Sequence, residues 1–123
     1  MLDILIEGIP RSKKNSKIMI FTRGKPMLIS SKQFLEWHES AMWQLKKYPQ
    51  LKIDYPVNLE CHFFMPNKRR CDLSNLYEGV QDALVEAEIL EDDNYTIIAS
   101  HDGSDVSVDR ENPRIEIKIR AIN

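Results

Sequence analysis

Disulfide chemistry has almost nothing to work with in this chain. Its 123 residues include two cysteines, Cys61 and Cys71, too few for a stapled secreted scaffold and without a metal-knuckle spacing. Four glycines and six prolines leave no room for a collagen-like repeat or a low-complexity tract. No apolar run approaches the ~20 residues that span a bilayer. Ahead of its first apolar stretch the chain has an acid, Asp3, and no basic segment, so it does not read as a signal peptide. These absences describe a soluble, reduced, cytoplasmic protein with no membrane role. The length fits a single domain over residues 1–123, large enough for one core without cross-links.

Net charge is also scarce, at −2, but the two halves differ sharply. Residues 1–70 hold 13 Lys/Arg and 6 Asp/Glu, a balance of +7; residues 71–123 hold 4 and 13, a balance of −9. A basic half suits phosphates, whereas an acidic half repels them unless a divalent cation lies between.

Hydrophobic periodicity supplies the elements. Residues 2–9 read as a strand, followed by a basic loop (10–16). Residues 17–21 and 26–30 flank the turn signal Arg23-Gly24 and predict a hairpin. A helix over 31–48, capped by Ser30 or Ser31, places Phe34, Trp37, Ala41, Met42 and Leu45 on one side. VNLECHFFM (57–65) is the clearest strand, and a second basic loop (66–71) follows it. The next helix begins at Asp72 or Ser74, runs to about 89 and carries Leu73, Leu76, Val80, Ala83, Leu84 and Ala87 as its core stripe. Residues 95–101 read as a strand, 102–113 as a polar loop, and RIEIKIRAI (114–122) as a half-buried strand. Trp37, Trp43, Phe63 and Phe64 all fall at core spacings. The expected fold is α+β: a two-layer sandwich with two main helices on one mixed β-sheet.

From Asp72 to Asp93 there are eight carboxylates and no Lys or Arg. At about 100° per residue, Asn75, Glu78, Asp82 and Glu86 form one helical stripe bordering the apolar one. Like charges one turn apart are unfavourable unless something positive offsets them. A hard divalent cation such as Mg²⁺ is suited to that role, since it takes a few carboxylate oxygens and keeps waters for a substrate phosphate. Lys68-Arg69-Arg70 leads directly into these acids, and cations beside a metal-binding acid cluster are what phosphodiester hydrolysis needs.

KRRCDLSNLYEGVQDALVEAEILEDDNY (68–95) resembles the signature of the RusA family of Holliday junction resolvases. That signature is a basic run, D-x-D-N-L, a helix with a D-A-L triplet, and a D-D pair about twenty residues after the first Asp. Arg69, Arg70, Asp72, Asn75, Leu76, Asp82-Ala83-Leu84 and Asp92-Asp93 match it, and Pro10, Ser12 and Asn15 follow the family's N-terminal loop. The resemblance implies a Mg²⁺-dependent endonuclease, with Mn²⁺ as a substitute ion. It implies a homodimer that cuts two opposed strands of a four-way DNA junction in recombination and repair. It assigns Asp72 and Asp93 as principal metal ligands, Asp92 as a substitute, and Asn75 as the group that orients a ligand or phosphate. Two positions depart from the pattern. Ser74 replaces a second Asp, and Glu78 stands where a Lys can occur. Glu78 lies close to the face of Asp72 and Asn75, so its carboxylate is expected to join the metal and catalytic set, with Ser74 as the N-cap.

Arg11, Lys13, Lys14, Lys17, Arg23 and Lys25 fall within fifteen residues. Lys13, Lys14 and Asn15, together with Lys68, Arg69 and Arg70, are the candidate DNA contacts. Cys61 and Cys71 are expected to pack, His38 to serve surface or packing roles, and His62 to point outward or be a satisfied buried group. His101 alone is kept as a substrate or proton-transfer candidate. No Ser/His or Cys/His pair is placed for attack, which leaves water activated at the metal as nucleophile. Either 57–65 or the final strand is expected to offer a dimer edge. Two rivals stand beside the nuclease: a nucleic-acid-binding protein of the same fold with lost or altered cleavage, and a domain whose acidic helix docks a basic partner.

Overall fold

Alternating isoleucines near the C-terminus organise the molecule. The computed structural model describes residues 1–13, 17–30 and 32–122, with backbone alone at 17, 18, 20 and 27–30. The elements are β1 (Leu2–Glu7), β2 (Lys17–Thr22), β3 (Lys25–Ser30), α1 (Lys32–Leu45), β4 (Val57–Met65), α2 (Leu73–Glu86), β5 (Ile98–Ser100), β6 (Asp105–Val108) and β7 (Arg114–Ala121). β7 lies antiparallel between β1 and β4. β5 and β6 pair in parallel with successive parts of β4, giving the order β1-β7-β4-β5/β6. Ile115, Ile117 and Ile119 face Ile6, Ile4 and Leu2 across one ladder and Phe63, Cys61 and Leu59 across the other. Their shared face is buried under α1 and α2 through Phe34, Trp37, Ala41, Leu45, Leu76, Val80, Ala83 and Leu84. Each such buried Leu, Val or Phe side chain contributes about 1.5–3 kcal/mol of transfer free energy, and the alanines less. The two helices close on each other at Gly79, where a Cβ would lie 3.0 Å from the Phe34 ring. The mixed two-layer α+β sandwich is therefore as expected.

Several local expectations change. The segment read as a polar loop contains β6, a short exposed strand held by β4. The strand expected at 95–101 shrinks to Ile98–Ser100, because the Asn94 carbonyl accepts the N–H groups of Ile97 and Ile98 and closes a turn first. α1 ends at Leu45, before Lys46 and Lys47; Ser30 ends β3, and Ser31 lies outside the described residues. Trp43 is 66% exposed: six residues past Trp37 it has turned about 240° round the helix, and the Lys46 ammonium covers its ring. Phe64 alternates to the far face of the sheet and stacks beneath the Arg114 guanidinium, 3.8 Å away. Neither β4 nor β7 is an edge; the edges are β1 on one side and β5 with β6 on the other. The hairpin forms as expected, with Arg23 and Gly24 both at positive φ in a two-residue turn, and Met19 and Phe21 stay exposed. Among the described residues, no helix is long and apolar enough to cross a membrane.

Candidate active site

The acidic stripe rides on α2, whose apolar side is fixed against the sheet. Asp72, extended at φ −82° and ψ 131°, occupies the N-cap position, and its carbonyl accepts the N–H groups of Asn75 (3.1 Å) and Leu76 (3.3 Å). Its side chain makes no cap bond; one carboxylate oxygen instead accepts from the buried Asn75 amide at 3.4 Å. Ser74, expected as the cap, is the second helical residue and exposed, because the first turn already closes on Asp72. Glu78 is exposed on the next turn of the stripe.

One turn further on, the stripe meets other parts of the chain. Lys13 reaches from the β1–β2 loop to form an ion pair with Asp82, both side chains about one third exposed. His38 of α1 bonds Glu86 through Nε2 at 2.5 Å. Lys13, His38, Asp82 and Glu86 line a cleft of about 560 Å³ with Asp93, against an apolar wall of Phe34, Leu35 and Val85. Asp93 arrives on the turn after α2. Asp92 builds that turn by accepting the Asp93 N–H (2.8 Å) and the Asn94 amide (2.9 Å).

The two neighbouring acids are driven in opposite directions. The Asp93 N–H, then the Asn94 amide, hold the Asp92 carboxyl below its ordinary value. Asp93 is pushed above its own, first by partial withdrawal from water, then by Asp92, then by the charge of Asp82. Asp82 and Asp93 therefore line one cleft as like charges that act on each other, and among the described residues Lys13 is the ammonium paired with them, at Asp82. Asp72 stands ten residues before Asp82, about 15 Å along the helix axis at 1.5 Å per residue. Among the described residues, no three His, Cys, Asp or Glu side chains gather into a set that would hold a metal ion by themselves. The donors still fit a hard divalent cation, because Mg²⁺ is commonly held by one or two carboxylates plus substrate phosphate.

Asp82 was legible as a stripe member and in its D-A-L triplet, yet its place in one cleft with Asp93 depends on a turn that periodicity does not describe. Lys13 joins the acids, while Lys14 and Asn15 lie outside the described residues. Lys68, Arg69 and Arg70 are exposed just before α2 and, among the described residues, make no ion pair; Arg69 N–H is anchored on Asn67 Oδ1. His101 is elsewhere. Its Nδ1 donates to the Leu59 carbonyl (3.1 Å), its ring stacks on Tyr77 at 3.9 Å, and burial lowers its pKa. Tyr77 lies about 200° round α2 from Asn75, so His101 is on the other side of the helix from the acids. His62 points away from the core and bridges Glu60 and Asp105. Both cysteines are free, and burial raises both thiols; Cys61 packs at the centre of the sheet.

Comparison with known proteins agrees with this architecture. The profile of the family described as Endodeoxyribonuclease RusA matches residues 7–120. A crossover junction endodeoxyribonuclease RusA from Aquifex aeolicus (strain VF5) is 30% identical over 61 residues, an alignment covering 47% of this chain and 47% of the relative. The chain thus spans about half the length of the curated relative it matches. Because the family profile extends over nearly the whole sequence, through the sheet, both helices and the acidic cleft, the chain belongs to the RusA family of endodeoxyribonucleases.

Proposed function

We propose that this protein is a divalent-metal-dependent endodeoxyribonuclease that cuts four-way DNA junctions as a homodimer. Carrying this reading is the pair Asp82 and Asp93, two like charges that line one cleft and act on each other, an arrangement that a cation would relieve. Asp82 and Asp93, which share the cleft, are the proposed ligands of Mg²⁺, or of Mn²⁺ in its place, and Asp72 and Glu78, nearer the start of the helix, are proposed to extend the acidic set along the path of the strand. Asn75 holds the Asp72 carboxylate in one orientation. Asp92 serves by shaping the turn that presents Asp93. Lys13, Lys14, Asn15, Lys68, Arg69 and Arg70 grip phosphates and set the strand against the acids. When bound, the ion supplies Lewis acidity and an activated water. Two symmetric scissile phosphates call for two symmetric sites, which a two-fold dimer provides. The protein works where recombining DNA lies, in the cytoplasm.

Cleavage of a labelled four-way junction and of a matched linear duplex across a Mg²⁺ titration tests this. Paired nicks in opposed strands of the junction alone are expected, and Asp82→Asn or Asp93→Asn should still bind the junction while losing cutting by 100-fold or more, the scale on which electrostatic stabilisation at a reacting phosphate acts (~10²–10³). Glu78→Ala tests the replacement of the missing acid: full activity would end that idea. A second reading, binding without cutting, is favoured by Ser74, where an exposed hydroxyl stands in place of an acid. It predicts junction binding with no nicks at any Mg²⁺ concentration.

A further inference from the structure

We infer that Lys13 is a built-in stand-in for the metal: its ammonium balances Asp82 in the cleft and transfers to a DNA phosphate when a divalent cation binds. This rests on the reading of the cleft as a metal site. Lys13 and Asp82 are 69 residues apart in sequence, so the pair is a product of the fold and not of local helix chemistry. Three carboxylates line the cleft, Asp82, Glu86 and Asp93; His38 occupies Glu86, and Lys13 is the cation supplied to Asp82 among the described residues. One ammonium leaves the group short of neutrality, and Asp93 still feels the charge of Asp82.

A divalent ion and an ammonium cannot share Asp82 without strong mutual repulsion, so one leaves as the other arrives. Lysine suits that exchange. Its charge is compact, its four-carbon stem is flexible, and at one-third exposure it can swing from the carboxylate to a phosphate at the mouth without moving the backbone. Metal and DNA binding then strengthen each other by the same factor, since linkage is reciprocal.

The test uses the full chain and Mn²⁺ alone as probe, followed by electron paramagnetic resonance or calorimetry. Lys13→Met should bind Mn²⁺ about two- to fivefold tighter than wild type, the scale of one partly exposed ion pair, because the internal competitor is gone. Lys13→Arg, which keeps the charge and reports on folding through its melting curve, should stay near wild-type affinity. In wild type, Mn²⁺ should tighten binding of a junction carrying non-hydrolysable linkages, and this gain should largely vanish in Lys13→Met. Unchanged or weaker Mn²⁺ binding by Lys13→Met would overturn the exchange while leaving the metal site intact. Wild-type Mn²⁺ affinity in Asp82→Asn and Asp93→Asn would overturn the metal reading of the cleft and the exchange with it.

Discussion

Replacing His62 with Gln tests the electrostatics of the sheet's outer face. The imidazole bridges two strands, with Nε2 2.5 Å from Glu60 Oε2 on its own β4 and Nδ1 2.7 Å from Asp105 Oδ1 on β6; Arg120 of β7 holds the other Glu60 oxygen at 3.0 Å. Both nitrogens face acceptors, so the protonated ring satisfies both and the neutral ring only one. The Glu60 hydrogen bond, then the Asp105 hydrogen bond, raise the His62 pKa above its ordinary 6.5. Glu60 moves below its ordinary 4.5, with the His62 hydrogen bond as the largest cause.

A raised histidine pKa stabilises the fold fully below pH 6.5 and is lost as pH climbs through the folded value. A lowered carboxylate pKa stabilises above 4.5 and is lost as pH falls through the folded value. The bridge is therefore strongest between about pH 4.5 and 6.5. Fully shielded bonds to charged partners are worth roughly 1.5–3 kcal/mol each. The His62 side chain is 23% exposed and that of Asp105 63%, so about 2 kcal/mol in total is a discounted figure for pH 6. In a domain this size that is about 8 °C in Tm. Thermal melts followed by circular dichroism at pH 5.5, 6.5, 7.5 and 8.5 should show the gap between wild type and His62→Gln narrowing to roughly half as pH rises, one of two charge-linked bonds surviving in the neutral ring. A constant gap, or one that widens with pH, would refute the reasoning.

Two further outcomes are expected. Gly103→Ala should cost about 1–2 kcal/mol, because φ is +88° and the new Cβ would lie 2.9 Å from Glu60 Oε1; urea denaturation like that of wild type would contradict the crowding. Replacing Lys68, Arg69 and Arg70 together with Ala should flatten the log Kd against log salt slope for junction binding by about 3, whereas an unchanged slope would place this loop off the DNA.

Periodicity located α2, β4 and β7 because each is long and its buried residues repeat without interruption. It failed at β6, where four exposed residues are a strand only because β4 offers them hydrogen bonds. Edges were misassigned for a related reason. Alternation in RIEIKIRAI reports which face of the sheet is buried and carries no information about lateral neighbours, and β7 has one on each side. Trp43 shows that an apolar residue type does not fix a helix face, since its angular position puts it in water. At the site, the stripe Asn75, Glu78, Asp82 and Glu86 was readable from helix geometry. Which of its members would meet Asp93 depended on the Asp92–Asn94 turn, and Lys13 joined them from a loop 69 residues away.

The two departures from the family pattern are informative because folding does not favour either. α2 has no acidic residue in its first turn, where a carboxylate near the helix N-terminus contributes about 0.3–1 kcal/mol. An Asp at position 74 would therefore help the helix, and Ser74 forgoes that gain. Glu78 stands one turn before Asp82, a like-charge pair that costs a few tenths of a kcal/mol, whereas Lys at 78 would reverse the sign. Each choice lowers helix stability slightly, and neither side chain is buried, so packing offers no compensation. What the pair does preserve is the number of carboxylates on α2, while moving one from the first turn onto the stripe next to Asp82. That redistribution makes sense if negative charge is needed at the Asp82–Asp93 end of the helix, where the cleft lies, and Lys13 then supplies from the basic half of the chain the cation that position 78 no longer provides.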